Sequence, residues 1–136
     1  MVQKVVIHTD GGAKGNPGPA AIGVVIDIGG DIKEYHQAIG RTTNNVAEYR
    51  AVLFALQKLK QLLGKDDARK AHIKLKTDSE LVTKQINGKY KVKNEQLKAL
   101  FIDLWNLLQD FDNITISSIP REQNDAADKL VNKALF

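Results

Sequence analysis

The sequence predicts an α/β fold in which helices pack on a mixed β-sheet, with the chain order βββαβααβα. Short β-branched runs indicate strands, and longer segments with apolar residues at helical spacing indicate helices. The strand signals come first as a hairpin and later alternate with helices. This order is typical of a sheet that contains both antiparallel and parallel pairs.

The beginning of the chain contains three strand signals. Residues 4–10 are rich in β-branched side chains and predict the first strand. The next segment, 11–21, contains four glycines and two prolines, which we expect to exclude both helix and regular strand. Residues 22–28 and 32–39 flank a Gly-Gly-Asp turn and predict a hairpin.

The first helix is predicted at about 45–63, after Thr and Asn caps and before Gly64. One face of this helix carries Glu48 followed by an apolar stripe of Val52, Ala55, Leu56 and Leu59. The stripe should pack on the core. An ionised carboxylate at the start of the same face is costly unless a partner compensates its charge.

The rest of the chain alternates strands and helices. Strand patterns cover 72–78 and 113–119, and helical patterns cover 79–87, 95–110 and the closing segment after Pro120. Ser79 is a plausible cap of its helix, and Trp105 is interpreted as a core residue. The segment 65–70 is predicted to be a polar loop, and 89–94 a basic connection.

Composition limits the classes of protein to which the chain can belong. Its 136 residues suit a single domain, which we place at 1–136. The absence of cysteine excludes disulfides, thiolate metal sites and a cysteine nucleophile.

No apolar run approaches the roughly 20 residues that span a membrane. With no leader-like start, these features predict a cytoplasmic protein without a membrane partner. A net charge of +4 is compatible with a polyanionic partner.

Four acidic residues occupy positions that could converge at one edge of the sheet. Asp10 and Asp78 each end a strand, Glu48 lies on the inward helix face, and Asp128 lies in the last helix. Taken singly, each has an ordinary explanation as a turn residue, a cap, a first-turn acid or a surface charge. Together they would repel one another unless cations held them, and Mg²⁺ is a cation that carboxylates bind.

Four segments in order resemble the motifs of type-one ribonuclease H: "TDGGAKGNPGPAAIG", "RTTNNVAEYRAVLFAL", "TDSELV" and "REQNDAADKLVNKAL". The similarity spans nearly the whole chain. It implies a ribonuclease H-like fold, with a five-stranded mixed sheet flanked by helices. It also implies an endonuclease that hydrolyses the RNA strand of RNA/DNA hybrids and leaves 5′-phosphate and 3′-hydroxyl ends.

The resemblance further implies two Mg²⁺ ions, or Mn²⁺, held by Asp10, Glu48, Asp78 and a final-helix aspartate. Two such ions can stabilise the attacking and leaving oxygens of a displacement at phosphorus. A non-catalytic hybrid-binding module and another nuclease or resolvase of the same superfamily are the alternatives. The expected partner is an RNA/DNA hybrid, and the expected state is a monomer.

Two aspartates compete for the fourth position. The family pattern has an Asn four residues before the Asp, which Asn124 and Asp128 satisfy. Helical geometry places Asp128 at the edge of the apolar face, whereas Asp125 falls near the polar side, one turn from Lys129. We therefore assign the catalytic role to Asp128.

The resemblance also implies a set of substrate contacts. Gly11, Ala13, Asn16 and Glu48 would meet the RNA sugars, and Asn44 and Asn45 the minor groove. Arg41, Thr43 and Asn94 match the family's DNA-phosphate pocket. The full substrate-binding set is Gly11, Ala13, Asn16, Arg41, Thr43, Asn44, Asn45, Lys89, Lys91, Asn94 and Asn124. For the residues before the helix, capping alone is the alternative reading, and both roles can hold together.

Two departures from the family pattern stand out. The chain lacks the long basic insertion of some relatives, although Lys89 and Lys91 could contact DNA phosphates from the short connection. A solvated basic loop is the alternative. The chain also lacks the loop histidine that many members carry before the final aspartate, and Arg121 or Glu122 is a candidate substitute.

Overall fold

A computed structural model describes residues 2–135 and contains a sheet with the strand order β3-β2-β1-β4-β5. The strands are β1 (Lys4–Ala13), β2 (Gly18–Ile28), β3 (Asp31–Thr42), β4 (His72–Thr77) and β5 (Asn113–Ser118). The first three form an antiparallel meander, while β4 runs parallel to β1 and β5 parallel to β4. The predicted five-stranded mixed sheet is confirmed.

The helices are α1 (Asn44–Leu63), α2 (Lys65–Lys70), α3 (Glu80–Ile86), α4 (Glu95–Leu108) and α5 (Asp125–Leu135), with a short 3₁₀ turn at Arg121–Gln123. The prediction of a polar loop at 65–70 is wrong, because α2 forms there. Acidic residues in its first turn and basic residues in its last turn suit the helix dipole, and Ala68 is buried beneath it.

The main core lies between one face of the sheet and α1 with α4. Inward side chains of β1, β2 and β4 meet the apolar stripe of α1, and the predicted members Val52, Ala55, Leu56 and Leu59 are all fully buried. Thr43 caps α1 through its side chain, and Gly64 ends the helix, both as predicted. This packing fixes the N-terminal end of α1 over the edge of the sheet.

The glycine segment is more regular than the sequence predicts. β1 continues through Gly11 and Gly12 to Ala13, and both glycines pair with β2, so irregular structure is confined to the turn before Gly18. The prediction that 11–21 excludes a strand is wrong. Gly11 is required by packing, because a Cβ there would collide with the backbone of Ala47 in α1.

Helix α5 covers part of the opposite face of the sheet. It packs against β1, β2 and β3, where Gly23 allows the close approach of Ala127 and Leu130. The outward side chains of β4 and β5 are mostly exposed. The second face of the sheet is therefore only partly covered.

Trp105 is not a core residue. Its side chain is 50% exposed, whereas the neighbouring Leu104 is fully buried. Helix α4 contacts the core along a narrow stripe that includes Leu97 and Leu104, and Trp105 is about 100° further round the helix. Leu104, Leu107 and Leu108 lie near it in sequence and predict a wider apolar face than the one that is buried.

None of the described helices is long and apolar enough to cross a membrane.

Candidate active site

Three acidic side chains meet where β1 passes the end of β4, beside the first turns of α1. The parallel pairing of Thr9 with Thr77 places Asp10 next to Asp78 across the sheet. Glu48 reaches the same point from α1. Carboxylate oxygens of Asp10, Glu48 and Asp78 all lie within 4.8 Å of one another.

Asp128 completes the cluster from α5. Its carboxyl group lies close enough to raise the pKa of Asp10, and both line a cavity of about 460 Å³ that Glu48 and Asp78 also line. Asp125 instead lies on the exposed side of the helix, where its carboxylate is 3.3 Å from the Lys129 ammonium. The structure thus brings the four predicted acids together and leaves Asp125 outside the cavity.

Burial and mutual repulsion disfavour the ionised forms of these carboxyl groups. Burial raises the pKa of Asp10 to about 8, and the neighbouring Asp78, Glu48 and Asp128 add to the shift. Burial also raises the pKa of Glu48 to about 7, although hydrogen bonding to Ser79 and the charge of Arg121 act in the opposite direction. Carboxylates in this arrangement resist full ionisation without a compensating cation.

A divalent cation fits this donor set. The converging ligands are carboxylate oxygens, the hard donors that Mg²⁺ and Mn²⁺ prefer. The Oδ1 atom of Asp78 is buried without a hydrogen-bond partner among the described residues. An unpaired buried carboxylate oxygen is costly, and a bound cation would compensate it.

The strand end and the start of α1 are tied together by asparagines. The Asn44 Oδ1 atom accepts a hydrogen bond from the Ala13 backbone amide at 2.8 Å, and the Asn44 backbone amide donates to Asn16 Oδ1 at 3.0 Å. Gly11, Ala13 and Asn44 line the cavity beside the acids. These predicted substrate residues therefore form one side of the site.

Comparison with known proteins agrees with this geometry. A family model described as reverse transcriptase-like matches residues 8–134. LC11-RNase H1, solved in complex with an RNA/DNA hybrid, is 43% identical and superposes with a TM-score of 0.90 over 96% of each chain. The chain belongs to the type-one ribonuclease H family.

Two further relatives are similar to this chain over almost its whole length. RNase H1 from the archaeon Halobacterium salinarum is 40% identical, with a TM-score of 0.86 over 97% of each chain. A bifunctional protein of Mycobacterium tuberculosis is 42% identical over 97% of this chain, which spans 35% of the length of that relative. The chain thus spans about a third of the first curated relatives it matches.

The remaining predicted contacts of this ribonuclease H domain lie outside the acidic cavity. Thr43 caps α1, Asn94 caps α4 through its side chain, and Arg41 and Asn45 are exposed. Lys89 and Lys91 are exposed in the turn after α3. Their roles as substrate contacts stay predictions.

Asn124 lies under the site of the ribonuclease H domain. Its side chain is buried, and its amide nitrogen donates to the Thr9 carbonyl at 2.8 Å, which ties the start of α5 to β1 next to Asp10. Its Oδ1 atom has no hydrogen-bond partner among the described residues. The bond to Thr9 positions α5, and direct substrate contact by Asn124 stays a prediction.

Two residues of this ribonuclease H site have a larger role than the sequence suggested. Arg121 places a guanidinium nitrogen 3.6 Å from Asp128 and lines the cavity, in the region where the family's loop histidine is missing. Ser79 caps α3, and its side chain also lowers the pKa of Glu48. The sequence signal for this role is the position of Ser79 directly after Asp78, although the same position also predicts a helix cap.

Proposed function

We propose that this chain is an endoribonuclease that hydrolyses the RNA strand of RNA/DNA hybrids with the aid of two divalent metal ions. The observation that carries the proposal is the convergence of Asp10, Glu48 and Asp78 within 4.8 Å, with Asp128 in the same cavity. Four acids concentrated in this way destabilise the metal-free fold, so their presence favours a catalytic site over a decayed one.

The four carboxylates would hold the metal ions. Asp10 is the central residue of the set, because it contacts Asp128 and lies beside Asp78 and Glu48. When bound, Mg²⁺ or Mn²⁺ supplies an activated water and neutralises the charge that develops on the leaving 3′ oxygen. We propose Mg²⁺ as the physiological ion because the ligands are all carboxylate oxygens.

Recognition of RNA is assigned to the strand end beside the acids. Gly12 and Ala13 are partly exposed beside the cavity, and Asn44 holds the segment in place. Close backbone approach with hydrogen-bonding groups suits the 2′-hydroxyl, which distinguishes RNA from DNA. The hybrid seen with LC11-RNase H1 supports this choice of substrate.

The test is a cleavage assay on labelled RNA/DNA, RNA/RNA and DNA/DNA duplexes, with Mg²⁺ and with EDTA. We expect cleavage of the hybrid's RNA strand that requires the metal. Asp128→Asn should lower the rate by at least about 100-fold because it removes a ligand. Asp125→Asn is the matched control on the same helix and should retain activity, since Asp125 lies outside the cavity.

Two results would contradict the proposal. Absence of EDTA-sensitive cleavage with tight hybrid binding would identify a non-catalytic hybrid-binding module. Equal loss of activity in both aspartate variants would remove the assignment of Asp128.

We also propose that residues 1–136 act as a single ribonuclease H domain, as a monomer in the cytoplasm. The continuous core of the described residues supports one domain, and a cysteine-free chain is compatible with any redox compartment, including a reducing one. Light scattering coupled to size exclusion tests the monomer directly, and a dimer mass would reject it.

A further inference from the structure

The sheet face on the α5 side has a region that no helix covers. We call it the lysine face and define it by the outward side chains of β4, β5 and the start of β1: Lys4, His72, Lys74, Lys76, Asn113, Thr115 and Ser117. Residues between them in β4, such as Ile73 and Leu75, point into the core. A cavity of about 380 Å³ opens between the stems of Lys4, His72 and Lys74.

The lysine face carries uncompensated positive charge. Within residues 2–135, none of Lys4, Lys74 and Lys76 forms a salt bridge. The acids on the same side of the sheet are Asp78, which belongs to the acidic cavity, Asp27 on β2, which lies opposite Val6 of β1 and accepts a hydrogen bond from the Gly30 amide, and Glu34 on β3. The remaining outward groups of β5 are neutral and polar. This combination is complementary to a polyanion.

The lysine face leads directly to the acidic cavity. Side chains two residues apart on a strand share one face, so Lys74, Lys76 and Asp78 follow one another along β4 and its end. Each step covers about 6.6 Å, so Lys76 lies about one step and Lys74 about two steps from the carboxylate. A chain of phosphates that leaves the cavity in this direction would pass over both ammonium groups.

We propose that the lysine face is a second nucleic-acid contact, which binds the phosphates of a single strand extending from the hybrid in the active site. The inference rests on the proposed function for its substrate. Lysines contact phosphates as point charges, and the face has no Phe, Tyr or Trp side chain on which bases could stack. Binding is therefore independent of sequence and strongly dependent on salt.

The experiment compares a short blunt RNA/DNA hybrid with the same hybrid carrying a single-stranded extension of about ten nucleotides at each end in turn. Affinities are measured in EDTA over a range of salt concentrations, and cleavage of both substrates is measured in Mg²⁺. The test variant is Lys74→Gln/Lys76→Gln. The matched control, Lys65→Gln/Lys70→Gln, removes the same charge from exposed positions of α2.

We expect the unmodified protein to bind one of the extended hybrids about fivefold to tenfold more tightly than the blunt hybrid at low salt, and the test variant to lose this difference. For the test variant binding the extended hybrid, the slope of log affinity against log salt concentration should become shallower by about 1.4, which is about 0.7 for each lost phosphate contact. The control should behave as the unmodified protein. Thermal unfolding checks that both variants are folded.

Equal affinity for blunt and extended hybrids, or a difference that survives in the test variant, would overturn the inference. So would equal displacement of the extended hybrid by poly-glutamate and by single-stranded DNA, because the face would then be a general acidic-protein surface. Failure of the proposed function is separate: it would appear as absence of hybrid cleavage, while binding in EDTA still decides the role of the lysine face.

Discussion

At the scale of single residues, the position of Glu48 explains an inconsistency in the sequence. Its helix face is apolar from Val52 onward because it packs on the sheet, whereas Glu48 lies one turn earlier, beyond the sheet edge and beside Asp10 and Asp78. Burial raises its pKa to about 7, and Ser79 and Arg121 reduce the shift. The carboxylate is therefore maintained at a cost that only a bound cation would offset.

Arg121 provides a prediction about the site's charge balance. Its guanidinium lies 3.6 Å from Asp128 and lowers the pKa of Glu48, so it stabilises the ionised form of the cluster. Arg121→Ala should reduce the Mg²⁺-dependent cleavage rate by about tenfold, equivalent to about 1.4 kcal/mol, and shift the rate profile to higher pH. The measurement is the pH dependence of single-turnover cleavage.

The neighbouring Glu122 gives the control for this experiment. Glu122 is exposed and belongs to the same short turn, but it does not line the cavity. Glu122→Ala should leave both rate and pH profile unchanged. An unshifted profile in Arg121→Ala would mean that Arg121 does not substitute for the missing histidine.

At the scale of elements, α1 combines packing and chemistry at different turns. Its apolar stripe is buried against the sheet, and its first turns carry Asn44 and Glu48 into the site. The close approach of Gly11 in β1 to the backbone of Ala47 in α1 holds the start of the helix against the strand that carries Asp10. The helix can therefore be weakened in its middle without removing any ligand.

Leu56→Ala tests that separation. Leu56 is fully buried, so its truncation should lower the free energy of unfolding by about 2–5 kcal/mol. Cleavage at low temperature should remain within a few-fold of the unmodified rate, because the site's ligands stay in place. Chemical unfolding and a hybrid cleavage assay at about 10 °C measure the two effects.

The exposed neighbour Gln57 supplies the control, since Gln57→Ala removes a side chain of the same helix without creating a cavity. It should change the free energy of unfolding by less than about 0.5 kcal/mol. Loss of cleavage in Leu56→Ala under conditions where it is folded would show that packing and catalysis are coupled along α1.

Most elements could be predicted from periodicity, but their boundaries could not. The α1 stripe and its caps follow local rules, so both were predictable. The strand through Gly11 and Gly12 was not, because its pairing with β2 and its contact with α1 are long-range effects that outweigh glycine's weak strand preference. The formation of helix α2 and the exposure of Trp105 likewise depend on which other elements pack nearby in the fold.

The candidate site was predictable for a different reason. Asp10 and Asp78 follow the paired residues Thr9 and Thr77 on parallel neighbouring strands, so the topology alone places them together, although β1 continues beyond Asp10 to Ala13. Choosing Asp128 over Asp125 needed only helical phase, and the structure places Asp128 in the cavity. The contacts of Arg121 with the cluster and the role of Ser79 depend on side-chain geometry that one sequence does not specify.

At the scale of the whole molecule, the acidic site and the stability of the fold are linked through protons. The pKa values of Asp10 and Glu48 are raised to about 8 and about 7, above their ordinary values of 3.8 and 4.5. Between about pH 4 and pH 8 the folded protein therefore retains protons that the unfolded chain has released. The free energy of unfolding of the metal-free protein should fall as the pH rises through this window.

This linkage gives a prediction that joins metal binding to stability. In EDTA, Asp10→Asn should stabilise the protein at pH 8 by on the order of 2 kcal/mol and have little effect near pH 4, because it removes the buried charge.

Mg²⁺ should raise the Tm of the unmodified protein by an amount that grows from pH 6 to pH 8, since the metal competes with the protons on Asp10 and Glu48. Asp10→Asn should lose most of that increase, whereas Asp125→Asn, outside the cavity, should retain it. Thermal unfolding at each pH with and without Mg²⁺ measures the unmodified protein and both variants. A metal-induced increase in Tm that is independent of pH would show that the raised pKa values do not belong to the metal ligands.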